Sequence, residues 1–363
     1  MALARFGPGG RFADIKEIAT RFYRDAGVVS RAIAEAFAKH LVEVRRVEQK
    51  PDRQPHWEEL LVQKYQLQVA IVVRPPHREN DDEDSDEVHA LLGRALAELL
   101  SNGTLFRSGD AIGLGSGRGV FTTVDALANF PRLRVPGVTL LSLTGDVYPR
   151  HHSRDPNLCL DADTHVNLLG RCFAQDVTLH FLSSSICYEE QRTLESVRRR
   201  TWLNPERGVR LTHVITGVGI LGPGHRFYEM VRRKVDDTTQ PEPEVPARLL
   251  GLLDQLLGYC ERIHARCPGY WPVADICNSM FRLPAPTEMV TAQEAAAIDQ
   301  LVASINDNLL NVKPDELRAV PNMILVAGTR LKAAAIRSLL DGGQYNIRFL
   351  CTDEPTAKAI LGE

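Results

Sequence analysis

From Val69 onward the chain alternates short apolar runs with longer stretches in which apolar residues recur every three or four positions. Val69–Val73, Ala111–Leu114, Val138–Leu143, Val177–Leu182, Leu211–Thr216, Met323–Ala327 and Ile347–Cys351 read as strands. Helical periodicity covers Trp57–Tyr65, Asp86–Ser101, Leu331–Leu340 and the segment from Pro355, and another helix follows the glycines after Leu114. Strands that are apolar on consecutive positions are buried on both faces. The pattern therefore predicts an α/β domain with a Rossmann-like, mostly parallel sheet covered by helices on both sides.

Two stretches break this rhythm. Glu79–Glu87 (ENDDEDSDE) concentrates acids, which suits a solvated loop whose last members favour the next helix N-terminus. Residues 235–270 open with a Pro/Glu-rich run and read as an insertion carrying one helix, Ala247–Ala265.

The first 50 residues follow a different pattern. Ile15–Ile33 (IKEIATRFYRDAGVVSRAI) has a small residue, Ala19, ten positions before the branched Val29. That spacing suits two crossing helices of a helix–turn–helix, and His40–Val47 alternates like a short wing strand. Arg24, Ser30 and Arg31 would then face phosphates and base edges. Tyr23 occupies the turn position that usually holds glycine, so a helical hairpin that never touches DNA fits the same pattern. The expected organisation is an all-α unit over 1–50, a linker with a short helix over 51–67, and an effector domain over 68–363.

Composition narrows the classes. With 363 residues, 44% hydrophobic and 25% charged, the chain suits a globular protein of two or three domains. The net charge of −3 does not advertise nucleic acid, yet residues 1–50 carry a local balance of +4, a small basic unit on an acidic body. Aromatics at 6% argue against a stacking platform for single strands. Seven scattered cysteines without a CxxC favour neither disulfides nor zinc, and His151 and His152 lack ligand-spaced partners. No metal or cofactor is expected. Without a signal-like apolar region or a run of roughly 18 apolar residues, the reading is cytoplasmic and free of membranes.

The chemistry concentrates in turns that follow strands. Asp110–Val124 (DAIGLGSGRGVFTTV) places Gly113, Gly115, Gly117 and Gly119 at alternate positions between a strand and a helix, with Ser116 and Arg118 among them. Such a loop can turn backbone N–H groups toward an anion at the helix N-terminus, or it can be a tight turn without a ligand. It lacks both GxGxxG and GK[ST], which disfavours nucleotides. Gly217 and Gly219 form a second glycine turn after Leu211–Thr216. Asp275 is the acid in ADICNSMF, and Lys332 stands in a helix that opens just after Gly328. All of these fall near carboxyl ends of strands, where open α/β sheets bind ligands.

Segments 110–124, 138–146, 211–222, 273–281 and 305–361 resemble the effector domain of the SorC family of sugar-responsive bacterial transcriptional regulators, and EIATRF…VVSRAI resembles its helix–turn–helix register. The most specific stretch is Val320–Leu361, with its AGT turn, lysine-bearing helix and TDEPTA close. The resemblance implies a dimer or tetramer that binds operator DNA and a sugar or sugar-phosphate effector. It assigns the phosphate to Gly113–Gly119, an acidic hydroxyl-binding position to Asp275 and a basic position to Lys332. Gly119 stands where family members usually carry Thr, and Gly145-Asp146 stands for the family's Gly-Gly. Two rivals remain: an isomerase or deaminase on the same fold, and an effector-binding protein that no longer binds DNA.

Overall fold

The chain divides into two compact units, residues 1–50 and 51–363. The computed structural model describes residues 51–75, 86–145, 161–182, 184–186, 194–236 and 244–363. Arg24, Ser30, Arg31, Asp146, His151 and His152 lie outside the described residues, as does the whole expected helix–turn–helix.

Seven strands form one sheet: β1 (Val69–Val73), β2 (Ala111–Leu114), β3 (Thr139–Ser142), β4 (Thr178–His180), β5 (His213–Thr216), β9 (Asn322–Val326) and β10 (Ile347–Asp353). Their order is β1-β10-β9-β5-β2-β3-β4, and every pairing is parallel. Successive residues of each strand enter opposite cores, which is the period of two expected for a sheet covered on both sides. Val72, Leu141, Val214, Leu325 and Leu350 pack with helices α1 (Pro55–Tyr65), α10 (Ala333–Asp341) and α11 (Glu354–Leu361). Ile71, Ile112, Leu140, Ile324 and Cys351 pack with α2 (Asp86–Ser101), α3 (Arg118–Leu127) and α4 (Ala162–Arg171).

The expected linker is part of this unit. Leu61 of α1 is fully buried in the core, and Glu58 Oε1 accepts the Val72 N–H at 3.0 Å while Arg53 pairs with the same carboxylate at 2.7 Å. The apolar side of a short amphipathic helix needed a surface, and β1 with α11 supplies one. The insertion is likewise integrated. Its helix, longer than expected at Glu244–Arg266 (α7), joins α6 (Arg226–Asp236) and α8 (Ala292–Asp307) in a third core. That core also takes residues of β7 (Val273–Ile276) and β8 (Ser279–Arg282), which form a small antiparallel sheet with β6 (Gly219–Ile220).

The turn after β9 carries local strain. Asp353 is almost fully buried and accepts the Thr329 N–H at 2.6 Å and the Thr356 N–H at 2.9 Å, tying this turn to the start of α11. Held there, Thr329 has φ +80°, a region costly for a side chain with a branched Cβ. Relief of that strain exceeds the extra freedom glycine brings to the unfolded chain. Thr329→Gly is therefore expected to stabilise the protein by about 1 kcal/mol in urea denaturation.

Candidate functional site

Among the strands of the large sheet, β2 and β5 are neighbours whose onward connections run to opposite sides: β2 leads to β3, and β5 leads away toward β9. Such a reversal opens a crevice at the carboxyl ends of the two strands. The loops that leave β2 and β5 here are the two glycine turns singled out in the sequence.

The glycines have separate reasons to be there. Gly113 lies inside β2, and a Cβ on it would stand 2.5 Å from Leu143, so its bareness serves the core rather than a ligand. Gly145 would meet the Leu182 carbonyl at 2.0 Å, and Gly119 the Val326 carbonyl at 2.9 Å. These are packing glycines, which sequence spacing alone does not distinguish from ligand-facing ones. Gly217 approaches the same Val326 carbonyl, at 3.4 Å. Gly115 fits against Thr216 (2.5 Å) and Cys277 (3.2 Å), joining the loop after β2 to the turn after β5 and to the β7–β8 hairpin.

Gly117 differs from all of these. Its φ of +119° favours glycine, and nothing lies within 4 Å of where a Cβ would be. It is also the N-cap of the ten-residue α3, where no side chain caps the first N–H groups. The start of α3 is therefore a positive dipole end without a side-chain cap. Arg118, the first residue of α3, adds a guanidinium that lies 3.5 Å from Asp86. Ser116 Oγ reaches Asn278 Oδ1 at 3.5 Å.

Asp275, in the hairpin strand β7, is 8% exposed. Its Oδ1 lies 2.8 Å from His225 Nε2, and its Oδ2 accepts the Asn278 N–H at 3.1 Å. The second bond depends on a two-residue hairpin turn in which Cys277 and Asn278 have φ +51° and +58°. Gly219 allows the first bond, because a Cβ there would stand 2.0 Å from Asp275 Oδ1. The sequence pointed to Gly219 and Asp275 but not to His225. The only signal for His225 would have been its place just after Gly224, at the start of a helix.

Lys332 ends a 3-10 turn (Arg330–Lys332) and stands at the N-cap of α10, rather than one turn into a helix as the periodicity suggested. The turn contacts β6, which pairs with Asp275 through Gly219, so the turn bearing this lysine borders the same crevice.

Two further side chains shape the floor. His165 of α4 is fully buried, with Nδ1 at 2.9 Å from the Gly115 carbonyl. A carbonyl only accepts, so Nδ1 carries the proton, and Nε2 is left without a hydrogen-bond partner. Burial lowers its pKa to about 4, with the nearby Arg226 charge adding to the effect against the Gly115 carbonyl and Asp161. Burial also pushes the Cys277 thiol up to about 12, which makes it an inert packing group beside Thr216.

Among the described residues no group of three or more His, Cys, Asp or Glu side chains is placed to hold a metal ion. No helix among them is long and apolar enough to cross a membrane. The start of α3 at Gly117–Arg118 and the Asp275 carboxylate are the two polar features that these loops bring near one another.

The family described as "Putative sugar-binding domain" matches residues 50–162 and 299–362. No curated protein matches the chain by sequence. The full-length sorbitol operon regulator SorC from Klebsiella pneumoniae aligns with a TM-score of 0.55 at 17% identity, over 96% of this chain and 94% of its own. A probable sor operon regulator from Shigella flexneri aligns at 0.55 and 18% identity, over 85% of this chain and 98% of its own. The sugar-binding domain of a Vibrio fischeri transcriptional repressor gives 0.54 and 15%, covering 85% and 98%. At these identities the likeness is one of fold. Residues 50–162 and 299–362 thus resemble that sugar-binding domain, and the chain shares its fold with regulators of the SorC type.

Proposed function

We propose that this protein is a cytoplasmic transcriptional regulator in which residues 51–363 bind a sugar or sugar phosphate and residues 1–50 bind operator DNA. The observation that carries the ligand half is the start of α3 at Gly117, which lacks a side-chain cap and leaves room for a Cβ, in a loop whose Ser116 reaches Asn278 of the hairpin that carries Asp275. An anionic group suits the first and hydroxyls suit the second. The DNA half draws on the local +4 charge and the Ala19–Val29 spacing, and on the description of the Klebsiella neighbour as a sorbitol operon regulator. The effector then acts by linkage: DNA affinity changes by as much as the ligand prefers one arrangement of a dimer or tetramer over another.

The test is retention of DNA from upstream of the protein's own gene, with and without sugar phosphates. Retention is expected to weaken steeply with salt, and Arg31→Ala to cost about 1–3 kcal/mol. Lys332→Ala is expected to weaken effector binding by about one to two decades while leaving unliganded DNA binding intact. Full-length protein that binds sugar phosphates but shows no salt-dependent retention would reduce the reading to an effector-binding protein.

One observation favours a second reading. His225 and Asp275 form a hydrogen-bonded imidazole–carboxylate pair in the crevice, which is the equipment for proton transfer at a sugar carbon. Turnover of aldose phosphates to ketose phosphates by the wild-type protein would turn the assignment to an isomerase.

A further inference from the structure

We infer that His225 is a positioning residue that holds the Asp275 carboxylate in the one orientation in which it reads ligand hydroxyls. The inference rests on the ligand half of the proposed function and adds the residue on which its hydroxyl-binding group depends.

Four observations support it. His225 Nδ1 lies 3.4 Å from the Tyr228 N–H, an acceptor's position, which leaves the proton on Nε2 aimed at Asp275 Oδ1. With Asn278 N–H on Oδ2, both carboxylate oxygens are engaged and the group is held in one orientation. Each oxygen keeps a second lone pair, which can accept from a ligand hydroxyl; a phosphate at the same place would meet a carboxylate and be repelled. Second, the chain accepts local cost to build this arrangement. Gly219 gives up its side chain so that the carboxylate reaches the imidazole, and Cys277 and Asn278 both adopt left-handed backbone to aim the Asn278 N–H. Third, the start of α3 carries the complementary chemistry, a helix N-terminus without a side-chain cap and the Arg118 guanidinium, whose neighbour Asp86 is exposed. Fourth, His225 and Asp275 lie in 163–298, between the two matched segments of the family, whereas Gly117 and Lys332 lie inside them. His225 thus lies in a part of the chain that the matched domain model does not describe.

A carboxylate free to turn would lose orientation on binding, so removing His225 should cost affinity for hydroxyl-bearing ligands alone. Calorimetric titration of the full-length protein with ribose 5-phosphate, fructose 6-phosphate and inorganic phosphate tests this. For the sugar phosphates that the wild type binds, His225→Leu is expected to lower affinity about tenfold or more, with inorganic phosphate unchanged within about twofold. His225→Gln keeps an amide donor near the Nε2 position and is expected to recover to within about threefold of wild type. A purely structural histidine would give a different result: both ligand types weaken together, or neither does, and that outcome overturns the inference. If His225→Leu does not fold, the isosteric Asp275→Asn carries the test, since the inference requires the same split between sugar phosphate and inorganic phosphate. Wild-type protein that binds none of the three probes removes the proposed ligand function and this inference together.

Discussion

Gly219→Ala is expected to destabilise the protein by about 2–4 kcal/mol and to abolish effector binding. The new Cβ would stand 2.0 Å from Asp275 Oδ1 and 3.2 Å from His225 Nε2, so the 2.8 Å bond between them cannot survive. Both groups are nearly buried, and neither can turn to water without opening the β6–β7 pairing that joins Gly219 to Asp275. The cost is therefore that of leaving a buried donor and a buried acceptor unpaired, added to any backbone shift. Gly251→Ala is the matched control. Gly251 lies in the long helix α7 with nothing within 4 Å of a Cβ, and alanine there is expected to add about 0.5–1 kcal/mol. Urea denaturation of the two variants, with sugar-phosphate titration of the first, checks both signs. A Gly219→Ala protein as stable as wild type would mean that the Asp275 carboxylate is not held as described.

The acid limb of the stability profile should belong largely to His165. Its pKa is about 4 in the folded protein against about 6.5 in an unfolded chain, so between those values the unfolded state binds the extra proton. Stability from this group is fully present above about pH 6.5 and falls as pH drops toward 4. A difference of that size corresponds to about 3 kcal/mol. The physical reason is that a fully buried ring has no solvent to share a second proton, and the Arg226 charge opposes it further. His165→Asn keeps a short amide donor for the Gly115 carbonyl and removes the titration. The stability gap between wild type and variant is expected to widen by about 3 kcal/mol from pH 4 to pH 7. A gap that stays constant across that range would show that His165 does not titrate differently on folding.

These two predictions rest on residues that reached the site by different routes. The strands were legible in the sequence because a parallel sheet covered on both faces needs consecutive apolar residues, and runs such as VAIVV and AIGL have few other uses. The first residue of α2 was legible too, since it continues an acidic run that suits a helix N-terminus. The glycine loop, the second glycine turn and Asp275 were legible as candidates near strand ends. Which glycine stands against open space was not. Gly113, Gly115, Gly117 and Gly119 look alike along the chain, and only the neighbours separate them: a leucine, a threonine, open space and a backbone carbonyl, respectively.

The histidines show the limit most clearly. His225 and Asp275 are 50 residues apart and His165 and Gly115 likewise, and no local pattern links either pair. Their meaning comes from crossover connections that return the chain to the same sheet edge, and such long-range contacts leave no periodicity to read. The burial of the short helix expected within 51–67 was not legible for a related reason: a helix of weak amphipathicity gains its burial from β1 and α11, the second of which lies nearly 300 residues away. Local hydrophobic periodicity by itself determined the elements and the strand-end turns that carry the chemistry, because it reports which faces must leave water. Tertiary structure alone decided which of those turns meet, which glycines are bare for packing and which for access, and which imidazole orients the carboxylate, because those are properties of contacts between distant segments.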